Sequence, residues 1–197
     1  MAGLILASAS PRRQQLLRAA GYVFTVHPSA VDELDVPPGL APGEVAEALA
    51  RAKAQDVATA FPDDVVLGAD TVVEFLGQML GKPRDAADAE RILRLLSGTI
   101  HSVITGVAVV HAARSLFLHA RVISTVEMRQ LSDQELANYI ASRQWEGKAG
   151  AYGIQDPDPF VTRTSGCPTN IVGLPMHSTA ELLEQAGIRP GSSSRGR

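Results

Sequence analysis

The chain has 197 residues, 45% hydrophobic and 20% charged, with a formal net charge of −3. That is the composition of one ordinary globular domain able to bury a sizeable core, and it excludes the basic surface that a general nucleic-acid coat needs. A single cysteine, Cys167, excludes a disulfide framework or cysteine zinc site, and no stretch approaches the ~18 apolar residues of a membrane helix.

Residues 4–7 form an apolar run long enough for a buried strand. Ser10 is a preferred helix N-cap, Pro11 suits the first helical position, and Leu16, Leu17 and Ala20 continue at helical spacing until Gly21. A β-branched and aromatic run at 22–27 predicts a second strand. A loop rich in Pro and Gly follows at 28–42, with acids at Asp32, Glu33 and Asp35; loops of that length are often functional. A helix is predicted over 44–60 and a buried strand over 65–69, with Asp70 at its end. Residues 71–80 read as a hairpin turning near Gly77-Gln78. Next come a helix over 85–96, two long strands over 102–110 and 115–127, and a helix opened by the capping pair Ser132 and Glu135. The stretch 147–155 is dense in glycine, 160–164 and 170–173 read as short strands, and 175–185 as a closing helix. Residues 1–190 are expected as a single α/β domain around a mixed sheet, in two lobes about a cleft. The polar tail 191–197 is expected to be disordered. The short apolar run at the N-terminus lacks a basic segment before it, so no signal peptide is expected. With one cysteine, a cytoplasmic protein is.

Strand, tight turn and helix at 4–20 point backbone N–H groups and the positive end of a helix dipole at one spot, where Ser8, Ser10, Arg12 and Arg13 crowd. Guanidinium forks match phosphate oxygens; the plain alternative is a capped surface helix with solvated arginines. Asp70, at the end of a strand, is placed either to bind a metal or take a proton from water, or simply to cap a turn. Lys82 is fixed between Gly81 and Pro83, and Lys53 rises from an alanine-rich helix; each is a directed cation or an ordinary surface lysine. The glycines at 147, 150 and 153 admit close backbone approach, and Gln155 can offer its amide to a base edge, unless the run is only a tight bend. The five histidines show no metal-ligand spacing, and Cys167 reads as an inert thiol.

Taken in order, Ser8-Ala9-Ser10-Pro11-Arg12-Arg13, Gly68-Ala69-Asp70-Thr71-Val72-Val73, Gly81-Lys82-Pro83, the run from Gly147 to Gln155 (GKAGAYGIQ) and Val172-Gly173-Leu174-Pro175 resemble the Maf family of septum-formation-inhibitor-like nucleoside triphosphate pyrophosphatases. The resemblance spans residues 4 to about 187. It implies a mixed, twisted sheet flanked by helices with a deep cleft, similar to the inosine triphosphate pyrophosphatases. It implies hydrolysis of a nucleoside triphosphate to the monophosphate and pyrophosphate with Mg²⁺ or Mn²⁺, in a homodimer; net charge and the lack of a long apolar stretch predict no nucleic-acid or membrane partner. Thr71 with the AYGIQ run resembles the branch acting on dTTP and UTP. The alternatives are the sister branch acting on 7-methyl-GTP, an enzyme for other modified or purine nucleotides, and a non-catalytic nucleotide-binding regulator of cell division. By position, Asp70 matches the proton acceptor. Arg12, Thr71 and Gln155 match positions tied to substrate choice, and Ser8, Arg13, Lys53 and Lys82 match phosphate-side residues. Glu33 matches an acidic position near the site, expected with Asp70 at the metal. After Gln155 the chain departs from the family's glycine-rich continuation with Asp156-Pro157-Asp158-Pro159, whose prolines stiffen the loop and whose acids are expected to add negative charge.

Overall fold

In a strand, alternate residues face opposite sides of the sheet, and two long strands of this chain use both sides. A computed structural model describes residues 2–31, 39–157 and 160–191. Its elements, in chain order, are β1 (Leu4–Leu6), α1 (Pro11–Ala19), β2 (Thr25–Val26), α2 (Pro42–Ala60), β3 (Val65–Phe75), β4 (Gln78–Leu80), α3 (Ala86–Leu96), β5 (Ile100–His111), β6 (Leu116–Met128), α4 (Asp133–Ala141), β7 (Val161–Ser165), α5 (Pro168–Val172) and α6 (Met176–Gln185). The strands form one seven-stranded sheet in the order β2-β1-β3-β5-β6-β7, with β4 also paired to β3. β1 runs parallel to β2 and β3; the other pairings are antiparallel. The expected mixed sheet flanked by helices is therefore what the chain forms.

On one face Ile5, Val66, Ala108 and Val110 pack under Ala50, Ala54 and Val57 of α2. On the other, Leu4, Leu6, Val65, Leu67, Val107 and Val109 meet Leu17 of α1 and Leu182 and Leu183 of α6. Further along that second face, Val73 and Val103 join a separate cluster with Ile92, Leu93 and Leu96 of α3 and Leu136 and Tyr139 of α4. Between the two clusters, in register across β3 and β5, stand Thr71 and Thr105. A polar belt thus divides two apolar cores.

Several expectations need correction. Asp70 is not at a strand end: β3 runs unbroken from Val65 to Phe75, because β5 pairs with it from Val66 to Glu74. What ends near Asp70 is its other neighbour. β1 pairs with β3 only as far as Leu67, and β4 takes up the same edge only from Val73, so Asp70 sits in a gap on one edge of a continuous strand. The hairpin turns at Leu76 and Gly77, with φ of 53° and 78°, one residue earlier than expected, since a two-residue turn of this hand needs positive φ at both positions. The strand at 22–27 shrinks to Thr25–Val26 at the sheet edge. Residues 170–173, expected as a strand, lie on α5 and its cap, because Pro168 occupies the first helical position and Gly173 ends the helix at φ 120°. In the tail, residues 192–197 lie outside the described residues. Among the described residues no helix is long and apolar enough to cross a membrane.

α2 crosses the sheet closely enough to require glycine beneath it. A Cβ on Gly106 would lie 2.4 Å from the Ala46 carbonyl oxygen, and one on Gly68 would lie 2.3 Å from that of Ala50. Both obstacles are helix backbone, which cannot swing aside. Gly106→Ala is expected to destabilise the fold by about 3 kcal/mol, the upper end for overpacking, read as a lowered urea midpoint; an unchanged midpoint would contradict this packing.

Candidate active site

The gap on the edge of β3 opens into a cleft of about 1010 Å³, at the top of the range for small-molecule sites. Ser8, Arg12, Arg13, Lys53, Asp70, Thr71, Lys82 and Gln155 all line it, so segments far apart in sequence share one hollow. Glu33, the other residue expected at the metal, lies outside the described residues, as do Asp32, Asp35 and Asp158.

Asp70 follows Val66 and Gly68 on the α2 face, and the close crossing over Gly68 brings Lys53 down beside it. Lys53 Nζ donates to Asp70 Oδ1 at 2.5 Å, and both side chains are largely buried. A pair shielded in this way is held in a fixed geometry, unlike a surface ion pair. Among the described residues, the hydrogen bonds of the Asp70 side chain run to Lys53 through Oδ1 alone, and Asp70 lines the cleft.

On the opposite face the Arg13 guanidinium ties three segments together. Nη1 donates to Ser8 Oγ at 3.0 Å, Nη2 to Thr71 Oγ1 at 3.1 Å and Nε to the Gly173 carbonyl at 2.8 Å. The Thr71 hydroxyl also bonds Thr105 Oγ1 at 2.9 Å. Asn170 then secures the base of this network, donating through Nδ2 to the Val103 carbonyl and Ser124 Oγ, each at 3.0 Å. Ser10 caps α1, its Oγ accepting from the Arg13 backbone N–H at a long 3.5 Å. Arg12 turns to the other wall, where Nη2 donates to the Gly147 carbonyl at 2.8 Å. Burial lowers its pKa, against the opposing pull of Asp156 and Tyr139. The described lining carries five cationic side chains, Arg12, Arg13, Lys53, Lys82 and Lys148, against the three carboxylates Asp70, Glu146 and Asp156. Among the described residues this lining has a positive excess, in a chain of net charge −3, and such a lining favours anions.

Sequence reasoning passed over Lys148 and the part Asp156 plays. Lys148 forms an ion pair with Asp156 Oδ1, so Asp156 is compensated within its own loop instead of adding net charge to the cleft. A lysine in the glycine-rich run GKAG, as sharply flanked as Lys82, was the available signal. Among the described residues no group of three or more His, Cys, Asp or Glu side chains gathers to hold a metal ion. Mg²⁺ needs fewer, since one or two carboxylates suffice when phosphates and waters complete its shell. Asp70, on the cleft lining, fits that requirement.

Residues 3–186 match the family model described as Maf-like protein. The chain is 43% identical over 188 residues to the dTTP/UTP pyrophosphatase of Pelotomaculum thermopropionicum, covering 95% of this chain and 98% of that protein. It is 48% identical over 186 residues to the dTTP/UTP pyrophosphatase of Thermomicrobium roseum, covering 94% and 84%. Among solved structures, a nucleoside-triphosphatase/dITP/XTP pyrophosphatase from Mycobacterium abscessus overlaps 94% of this chain and 96% of its own, with 14% identity and a TM-score of 0.47.

Behind the cleft lining, Tyr152 bonds through its hydroxyl to Nε2 of the buried His101 at 2.8 Å. Burial pushes the His101 pKa down to about 4, and raises that of Tyr152. The folded chain therefore takes up the His101 proton later than the unfolded chain, whose imidazole titrates near ~6.5. The stability involved is complete above that value and is lost as pH falls toward the folded value. At pH 5 the loss is expected to be about 2 kcal/mol. Urea unfolding of the wild type and His101→Gln at pH 7.5 and pH 5 measures it: the wild type should lose more stability than the variant on acidification, and equal losses would contradict the assignment.

Proposed function

Because the chain belongs to the Maf family, we propose that it is a nucleoside triphosphate pyrophosphatase acting on dTTP and UTP, and that the gap along the edge of β3 is where it works. The observation that carries this reading is the placement of Asp70, held by Lys53, in one positively lined cleft with the arginines of the first turn of α1. The triphosphate lies against the N-terminus of α1, where helix dipole and fixed cations favour anionic oxygens. Arg12 and Lys82 face it as charge, while Arg13 holds the Ser8–Thr71–Gly173 frame around it.

Asp70 accepts a proton from a water that attacks the α-phosphorus. A new P–O bond forms, the bond to the bridging oxygen breaks, and pyrophosphate leaves with that bond's electron pair. Lys53 fixes the acid, and the surrounding cations offset the charge growing on the leaving group. Asp70, with Glu33, would hold a divalent cation, Mg²⁺ or Mn²⁺, which would supply further neutralisation of the phosphate oxygens. Gln155, exposed on the cleft wall, presents an amide to the O4 and N3–H edge of uracil or thymine. Thr71, whose hydroxyl is engaged by Arg13 and Thr105, supports selection from beneath. We further propose a cytoplasmic homodimer with no nucleic-acid partner, the last supported by the net negative charge; sedimentation analysis reads the assembly.

Pyrophosphate release from dTTP, UTP, dCTP, ATP, GTP and 7-methyl-GTP, with Mg²⁺ or Mn²⁺ added, tests the assignment. Highest kcat/KM for dTTP and UTP is expected, and equal rates across the panel would refute the base preference. Binding without pyrophosphate release would instead mark a nucleotide-binding regulator. Asp70→Asn should lower kcat by about 10²–10⁴-fold while nucleotide still binds; near-wild-type turnover would remove Asp70 from its role.

A further inference from the structure

The cleft wall that carries Gln155 is built from irregular chain, and its shape needs a cause. Residues 147–156 hold two short turns, Ala149–Ala151, in which Gly150 and Ala151 have φ of 71° and 65°, and 153–156, where the Asp156 N–H donates to the Gly153 carbonyl at 3.2 Å. For alanine that left-handed conformation costs ~1 kcal/mol or more, so neighbouring structure must impose it. One carboxylate supplies much of the constraint. Asp156 Oδ1 pairs with Lys148 across the loop, while Oδ2 accepts from the Tyr139 hydroxyl of α4 at 2.7 Å and from the Gly153 N–H at 3.1 Å. The Lys148 and Asp156 side chains are only 14% and 13% exposed. They press on the chain they organise: a Cβ on Gly153 would lie 2.8 Å from Asp156 Oδ1 and 3.0 Å from Lys148 Nζ. At its start the loop is tied to Arg12 through the Gly147 carbonyl, and the Gly150 N–H donates to the Gly81 carbonyl at 3.0 Å, beside Lys82.

We propose that Asp156 and Lys148 are a positioning pair that fixes the backbone at 152–155, and that selection of the pyrimidine base depends on this pair acting through Gln155. The inference deepens the assignment of the cleft to dTTP and UTP, and rests on it. A base-reading amide discriminates only while it is aligned, and displacement of about 1 Å is enough to cost orders of magnitude. Removing either charge leaves the other largely buried and uncompensated, so each single change disturbs the loop as the double change does.

The experiment compares Asp156→Ala, Lys148→Ala and the double variant with wild type, using dTTP, UTP and dCTP. Amide hydrogen exchange at Gly153 without nucleotide is followed in parallel; Asp156→Asn, which removes the charge and keeps the shape, replaces the alanine variant if that fails to fold. Each single variant is expected to lower the dTTP-to-dCTP ratio of kcat/KM by about tenfold or more, mainly through KM for dTTP, and the double by no more than the worse single. Gly153 exchange should quicken in Asp156→Ala. An undiminished ratio in both single variants overturns the proposal, as do losses that multiply in the double variant. If wild type shows no preference among nucleotides, the functional assignment fails instead, and the Gly153 exchange still reports whether the pair orders the loop.

Discussion

A carboxylate facing a cleft must be held still without being hidden, and the ion pair of Lys53 with Asp70 solves that on a strand that cannot move. β3 is hydrogen-bonded to β5 along nine consecutive register positions, so the backbone under Asp70 is pinned along that edge. Its other edge is shared by β1 and β4, which stop short of each other. Rigidity from one side and access from the other come from the same arrangement. Lys53 reaches the acid only because α2 crosses directly over Gly68 and Gly106; any side chain there would lift the helix and carry the lysine away.

The opposite face of β3 shows the converse arrangement. Thr71 and Thr105 stand where apolar residues would otherwise fuse two cores; Arg13 donates to the Thr71 hydroxyl, and the Thr105 hydroxyl donates to the Asn170 carbonyl at 3.5 Å. Buried polar groups are tolerated when they are paired in networks, and this one links the turn before α1, the middle of β3 and the turn after α5. Arg13 is thus as much a strut as a charge. Its fork is spent on three protein acceptors in three different segments, whereas Arg12, one residue on, reaches across to the loop at Gly147.

Much of this was legible in the chain. The N-cap at Ser10, the proline at the head of α1, the capping pair Ser132 and Glu135 and the long β5–β6 pairing are local signals, and local physics decides them. The convergence of Ser8, Arg12, Arg13, Lys53, Asp70, Thr71, Lys82 and Gln155 on one hollow was implied by the resemblance to the Maf family, not by any one segment's own pattern. Strand ends were not legible at Asp70, because β3 continues on account of a partner more than 30 residues away in sequence. Nor was the helix at Pro168–Val172, too short for periodicity to register and stabilised by where Asn170 finds its partners. The pairing of Lys148 with Asp156 was hidden for a similar reason: charge in a sequence says nothing of which opposite charge the folded loop brings to it.

That last point bears on how the site divides its labour. The proposed chemistry rests on a strand and a helix, elements whose geometry is over-determined by sheet pairing and core packing. The wall proposed to meet the base is an irregular loop, held by the Asp156–Lys148–Tyr139 cluster and by single backbone bonds to Arg12, Gly81 and its own turn. A loop held by so few bonds can be reshaped by one substitution without disturbing the sheet. On the proposed assignment, Asp156 is therefore where a change in sequence would alter which base fits while Asp70, Lys53 and the N-terminus of α1 stay in place.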